Sequence, residues 1–228
     1  MLVSTSDIDA FKIETPTNFC GFDKRYATYH YIRNLPHWRQ TGSTYFVTFR
    51  TKDSIPKQQW INITNAAKDW QAKLANSPRN PKILREYTLF KRRFQRRIET
   101  ILEECHGACL LKDPAFRRHV IEALMFYQNK RYRIDAGVIM PNHVHLVITP
   151  FIGHHLETSL GKAKSYSSRQ INQLASRKGS FWMPENFDHI IRNGYYQRTI
   201  RYLLKNPIKA RLKPDEFWYQ GPGEELLR

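Results

Sequence analysis

His143 and His145 stand two residues apart in Ile139-Met-Pro-Asn-His-Val-His-Leu-Val-Ile-Thr149, an apolar, β-branched run entered through a proline turn. Such a run reads as a strand, where side chains two residues apart share a face and Val144 and Val147 fall on alternating sides. Two neutral imidazoles presented together have the chemistry to grip one divalent cation. Ordinary histidines on a polar sheet face would show the same spacing, so the rest of the chain has to decide between the two.

A second set of polar residues lies on Tyr195 to Asn206. At about 100° per residue, Tyr196, Ile200, Leu203 and Leu204 share one stripe of a helix, while Arg198, Tyr202 and Asn206 fall nearly opposite. Arg198 offers a cation for phosphate, and the Asn206 carbonyl oxygen suits a hard metal. A plain amphipathic surface helix fits this pattern too. Pro207 is expected to end the helix, because the residue before a proline is pushed out of helical geometry.

The positioning elements follow from composition and period. Ser43 to Thr51 is rich in β-branched and aromatic residues and reads as the first core strand. Arg131 to Ile139 reads as a second strand, joined to the histidine strand as an antiparallel hairpin through Met140-Pro-Asn142. Between them, Pro56 opens a helix to about Leu74, Asn76 to Pro81 forms a loop, and a second helix runs to about Glu104. A further amphipathic helix begins at Asp113 or Pro114 and ends near Asn129. After Pro150, a helix from about Leu156 to Ala175 places Leu156, Leu160, Ala163, Tyr166, Ile171 and Leu174 on one stripe, with Lys162, Lys164 and Arg169 away from it. Gly179 to Ile191 reads as an edge strand or extended segment broken by Pro184, and Asn193-Gly194 as a turn. Residues 1–40 lack sustained periodicity and read as an arm, and residues 213–228 as a tail.

The charge balance points to a polyanionic partner. Among 228 residues, Lys and Arg number 37 against 20 Asp and Glu, a net charge of +17. That is far beyond what solubility requires and makes nucleic acid the first expectation. From Arg79 to Arg97, eight basic residues face only Glu86. In that helix Phe90, Phe94, Ile98, Ile101 and Leu102 form the apolar stripe, and Arg92, Arg93, Arg96 and Arg97 crowd the rest. Without interleaved carboxylates such a face repels itself, and phosphate would relieve it; a solvated face is the alternative. Cys20, Cys105 and Cys109 support neither a disulfide scaffold nor a zinc finger and are expected to be reduced thiols. With no apolar run of membrane-spanning length and no leader pattern, the reading is a soluble, cytoplasmic protein without a membrane partner.

Met140-Pro-Asn-His-Val-His-Leu146, followed by Arg201-Tyr-Leu-Leu-Lys-Asn-Pro-Ile-Lys-Ala210, resembles the REP-associated tyrosine transposases, which are HUH single-strand DNA endonucleases. The resemblance spans most of Tyr45 to Leu212. It implies an α+β fold: a ferredoxin-like antiparallel sheet with helices on one face, occupying 41–212, interrupted by a basic helical insertion at 56–104 that is longer than in compact members. It also implies that His143 and His145 bind the catalytic metal, Mg²⁺ or Mn²⁺, that Tyr202 is the nucleophile, and that Asn206 completes the metal site. Among the downstream tyrosines, Tyr166 and Tyr196 lie on expected buried stripes, and Tyr195 has Thr199 at i+4; Tyr202 alone has Asn206 there. The implied activity is metal-dependent cleavage and rejoining of single-stranded or hairpin DNA through a 5′-phosphotyrosine, by a monomer or homodimer. Arg92, Arg93, Arg96, Arg97, Lys162, Lys164, Arg169 and Arg198 are the expected DNA contacts. A non-catalytic basic nucleic-acid-binding protein, or a metal-dependent hydrolase using water, would share the charge and the histidines respectively.

Overall fold

A computed structural model describes residues 3–32, 36–77 and 80–228. Arg79, counted in the basic run, lies outside them. In chain order the elements are α1 (Thr5–Ala10), β1 (Tyr29–Ile32), β2 (Pro36–Arg39), β3 (Tyr45–Arg50), α2 (Lys57–Asn76), α3 (Pro81–Glu103), α4 (Pro114–Met125), β4 (Tyr132–Ile139), β5 (His143–Pro150), α5 (Leu156–Leu174), β6 (Phe187–Ile190), α6 (Tyr196–Lys209) and β7 (Trp218–Gln220). The chain forms two compact units, residues 53–109 and the remainder.

The larger unit is built on one five-stranded sheet in the order β6-β3-β5-β4-β7, antiparallel at every junction. Strands β3, β4, β5 and β6, with α4 before β4 and α5 before β6, reproduce the ferredoxin-like βαββαβ arrangement that was expected. One sheet face presents Tyr45, Val47, Phe49, Val144, Leu146 and Ile148 to α4 and α5. The expected helices on one face are these two. The other face is covered as well: Phe46, Val138 and Val147 pack against Ile200, Leu203 and Leu204 of α6, with Ile8 of α1 and Ile13 in the same cluster. Each such fully buried aliphatic side chain contributes about 1.5–3 kcal/mol relative to exposure, enough to make α6 part of the core.

Several boundaries differ from expectation. Within the expected arm, Ile8 and Ile13 are buried and β1 pairs with β2. The segment after Leu212 contributes β7, which pairs with β4 from Gly137 to Ile139; three residues of strand are too short to register as a period. α4 stops at Met125, short of Asn129, which takes a positive φ of 61°. α6 runs two residues past Pro207. A proline in the last turn forfeits a single hydrogen bond, while Ala210 N–H still donates to the Asn206 carbonyl.

On α5 two side chains are reversed from expectation. Tyr166 is 39% exposed and Lys164 is 8% exposed. The inward arc is Leu156, Ser159, Leu160, Ala163, Lys164, Ser167 and Ile171. Lys164 sits four residues after Leu160, about 40° away, whereas Tyr166 is six residues after it and about 120° away. The ammonium is satisfied by the Pro184 carbonyl at 3.0 Å and Asn186 Oδ1 at 2.7 Å.

The smaller unit is a helical hairpin. Asn80 caps α3 by accepting from Lys82 and Ile83 N–H. Ile55, Ile63, Ile101 and Leu102 form its core at one end, and Trp70 stacks on Phe90 at 5.4 Å along the shaft. Among the described residues no helix is long and apolar enough to cross a membrane.

Candidate active site

The histidine pair sits on the α6 side of the sheet because the pleat alternates. Val144 and Leu146 go to the α5 side, which sends His143 and His145 to the other, with their rings 4.6 Å apart. Both are essentially fully buried. Burial drives the pKa of His143 far below its ordinary value, with His145 adding to the effect. Burial also holds His145 down at about 3, with Asn206 pulling weakly upward. Both imidazoles are therefore neutral, the form that ligates metal.

For His143 the neighbour fixes which nitrogen is available, and for His145 it orients the ring. His143 Nδ1 lies 2.7 Å from Asn142 Oδ1, an oxygen that only accepts, so the proton belongs on Nδ1 and Nε2 keeps its lone pair. His145 Nδ1 lies 2.7 Å from Thr48 Oγ1, directly across the β3–β5 ladder. A hydroxyl can donate or accept, so this contact orients the ring. Thr48 and Asn142 were not singled out from sequence; the alternation of Phe46, Thr48 and Arg50 in β3 was the available signal, but strand pairing is invisible in one chain.

α6 supplies the other half. Leu203 and Asn206 are about 60° apart on the helix, so the sheet-facing arc extends to Asn206, which is fully buried. The expected opposition of Asn206 to the apolar stripe thus gives way to burial, since α1 and the sheet together enclose most of α6. Asn206 Nδ2 donates to the Tyr202 carbonyl at 2.7 Å, turning Oδ1 toward the His145 ring. The Tyr202 ring lies 5.5 Å from His145 and 5.7 Å from Phe46, its hydroxyl is buried, and Lys209 Nζ stands 5.7 Å from the ring centroid.

These residues fit a divalent cation. His143 Nε2 and Asn206 Oδ1 are buried acceptors that no hydrogen-bond donor reaches, an arrangement that costs stability unless something electropositive fills it. Among the described residues no group of three His, Cys, Asp or Glu side chains converges. The donor set is two nitrogens and a carboxamide oxygen.

The expected DNA contacts are distributed differently. Arg92, Arg93, Arg96 and Arg97 are exposed on α3, in the smaller unit. Lys162 and Arg169 are exposed on α5, which covers the face away from the histidines. Arg198 is exposed one turn before Tyr202. Lys164 is withdrawn from solvent. One cation escaped the sequence reading: Arg50, paired with His143 in register and 8% exposed, its pKa lowered by burial to about 10 and so still charged.

Residues 111–206 match the family model of IS200-like transposases. The matched segment, somewhat under half the chain, contains His143, His145, Tyr202 and Asn206, the residues that carry the resemblance seen in the sequence. No curated protein matches the chain. Among solved structures, that of a REP-associated tyrosine transposase bound to a REP hairpin aligns with 78% of this chain and 74% of that one, at 17% identity and a TM-score of 0.41.

Proposed function

We propose that this chain is a transposase that cuts and rejoins single-stranded, hairpin-associated DNA of the REP type through a covalent 5′-phosphotyrosine at Tyr202. One observation carries the reading: two buried neutral imidazoles, an unsatisfied carboxamide oxygen and a tyrosine ring meet where β5 faces α6.

His143 Nε2, His145 Nε2 and Asn206 Oδ1 would hold Mg²⁺ or Mn²⁺, which supplies charge neutralisation and orientation of a phosphate oxygen. Asn142 keeps the His143 imidazole in the ligating tautomer, and Thr48 holds the orientation of the His145 ring. A phenol has an ordinary pKa of about 10 and attacks phosphorus poorly unless the phosphate charge is offset. Tyr202 Oη forms the new P–O bond as the P–O3′ bond breaks; the phenol gives up its proton and the leaving 3′ oxygen takes one up. The products are a 5′-phosphotyrosine and a free 3′-hydroxyl, and the reverse attack by a 3′-hydroxyl reseals the strand without an energy source. Because the Tyr202 hydroxyl is buried, a phosphate reaches it only when Tyr202 or the Lys209 side chain over its ring turns outward. Single strands suit this geometry, since their phosphates can be drawn away from a duplex.

Incubation with hairpin-bearing single-stranded DNA, with Mn²⁺ or with chelator, followed by a denaturing gel tests the reading. A metal-dependent protein–DNA adduct is expected. Cleaved DNA without adduct would instead indicate attack by water, and binding without cleavage a non-catalytic role.

A further inference from the structure

We propose that Phe187 and His189, neighbours on the α6-side face of β6, form a stacking platform for an unpaired base of the DNA strand that reaches Tyr202; the proposal rests on the nucleic-acid reading above and adds to it the surface that holds the strand. Register places the platform. Thr48, which bonds His145 on the α6 side, is the direct cross-strand partner of Phe187, and Phe46 is that of His189. Directly paired residues of an antiparallel ladder share a face, so Phe187, Thr48 and His145 make one row across three strands. At about 4.7–4.9 Å between neighbouring strands, the Cα atoms of Phe187 and His145 are roughly 10 Å apart. The Phe46 ring links the platform to the nucleophile, with the His189 ring 5.3 Å from it and the Tyr202 ring 5.7 Å from it. Strand and nucleophile are thus separated by one ring, a gap that about three stacked nucleotides span at roughly 3.4 Å each.

Exposure and charge both fit a nucleobase there. α6 lies over β4 and β5, while on the edge strand β6 His189 is exposed and Phe187 half-buried, their rings 6.1 Å apart. Aromatic faces presented together at a surface suit single-stranded DNA, since every base has a π-face to lay on them. The carboxylate of β6, Asp188, goes to the opposite face, where His37 and Arg39 bind it, so it does not repel a phosphate backbone on the platform side. Arg192, two residues beyond β6, and Arg198, one turn before Tyr202, are exposed cations that complement such a backbone.

The test uses the full chain and hairpin oligonucleotides in which a single abasic nucleotide is walked along the strand flanking the hairpin. Binding is measured in chelator, so no cleavage intervenes. The wild-type protein should lose affinity at one position by about fivefold or more, the lower end of one base–aromatic stack. His189→Ala should bind the intact oligonucleotide more weakly by the same factor and show no further loss at that position, whereas His189→Phe, which keeps an aromatic face, should restore the wild-type profile. Phe187→Ala should behave as His189→Ala does; if its half-buried ring proves necessary for folding, the two His189 variants decide the matter. A flat profile in the wild type, or the same profile in wild type and His189→Ala, would overturn the proposal while DNA binding itself stands. Adduct formation by the wild type in Mn²⁺ is scored separately, so failure of the covalent reading and failure of the platform give different results.

Discussion

In the proposed reading His143, His145 and Asn206 are metal ligands; what supports it is that His143 Nε2 and Asn206 Oδ1 are buried acceptors with no hydrogen-bond partner. Replacing His143 or His145 by Ala should abolish Mn²⁺ binding by calorimetry and abolish cleavage, while affinity for DNA stays largely intact, since phosphate contacts by Lys and Arg dominate non-specific binding. Unchanged Mn²⁺ affinity would remove the metal assignment. Thr48→Val keeps the shape of the side chain but withdraws the partner of His145 Nδ1. It should weaken metal affinity by roughly 10- to 100-fold without loss of fold. The two histidines were legible in the sequence because a period of two in an apolar run needs no partner strand to interpret. Thr48 was not, because its role depends on the register of β3 against β5, which nothing in a single chain specifies; Asn142 adjoins His143 in the chain, and its contact with the ring shows only once the turn is folded.

Among the elements, the β4–β5 hairpin, the β3 strand and α6 were readable from local patterns, and the errors have a common physical source. On α5, residues three apart sit 60° short of a full turn, so a stripe through Leu160, Ala163 and Tyr166 drifts off the buried arc, which takes in Lys164 instead. The buried Lys164, held by Pro184 and Asn186, is predicted to act on stability: Lys164→Ala should lower the melting temperature and leave the salt dependence of DNA binding unchanged. The exposed arginines of α3 should behave in the opposite way. Charge reversal at Arg92, Arg93, Arg96 and Arg97 should weaken DNA binding and flatten its salt dependence by roughly one unit of slope per lost phosphate contact, with metal affinity preserved. If filter-binding titrations across salt give an unchanged slope, that face is solvated surface and nothing more. Tyr166 is exposed, so burial no longer argues against it as nucleophile; what does is its place on α5, across the sheet from the histidines.

At the scale of the whole molecule, contacts distant in sequence decide what local patterns could not. Ile8 and Ile13 near the N-terminus pack against α6, and β2 is tied to β6 by a buried cluster: His37 Nδ1 meets Asp188 Oδ1 at 2.6 Å, and Arg39 pairs with both Asp188 and Glu157. Burial opposes charge on His37, but bonds to Asp188 and Glu185 outweigh it and raise its pKa. Burial likewise opposes charge on Asp188, and His37 and Arg39 outweigh it in lowering the Asp188 pKa. The signs follow directly. The His37 contribution is fully present below about pH 6.5, its unfolded value, and is lost as pH rises through the raised folded value. The Asp188 contribution is present above about pH 4 and is lost as pH falls. Melting temperatures of the wild type should therefore decline as pH rises above about 6.5 and through the raised His37 value, and His37→Gln should flatten that decline. The central claim concerns Tyr202, and mass spectrometry of the trapped adduct tests it most directly. After reaction with hairpin single-stranded DNA and Mn²⁺, nuclease trimming and trypsin digestion, the nucleotide mass should be found on the Tyr202-Leu-Leu-Lys205 peptide; a nucleotide on the peptide carrying Tyr166, or cleaved DNA with no labelled peptide, would contradict it.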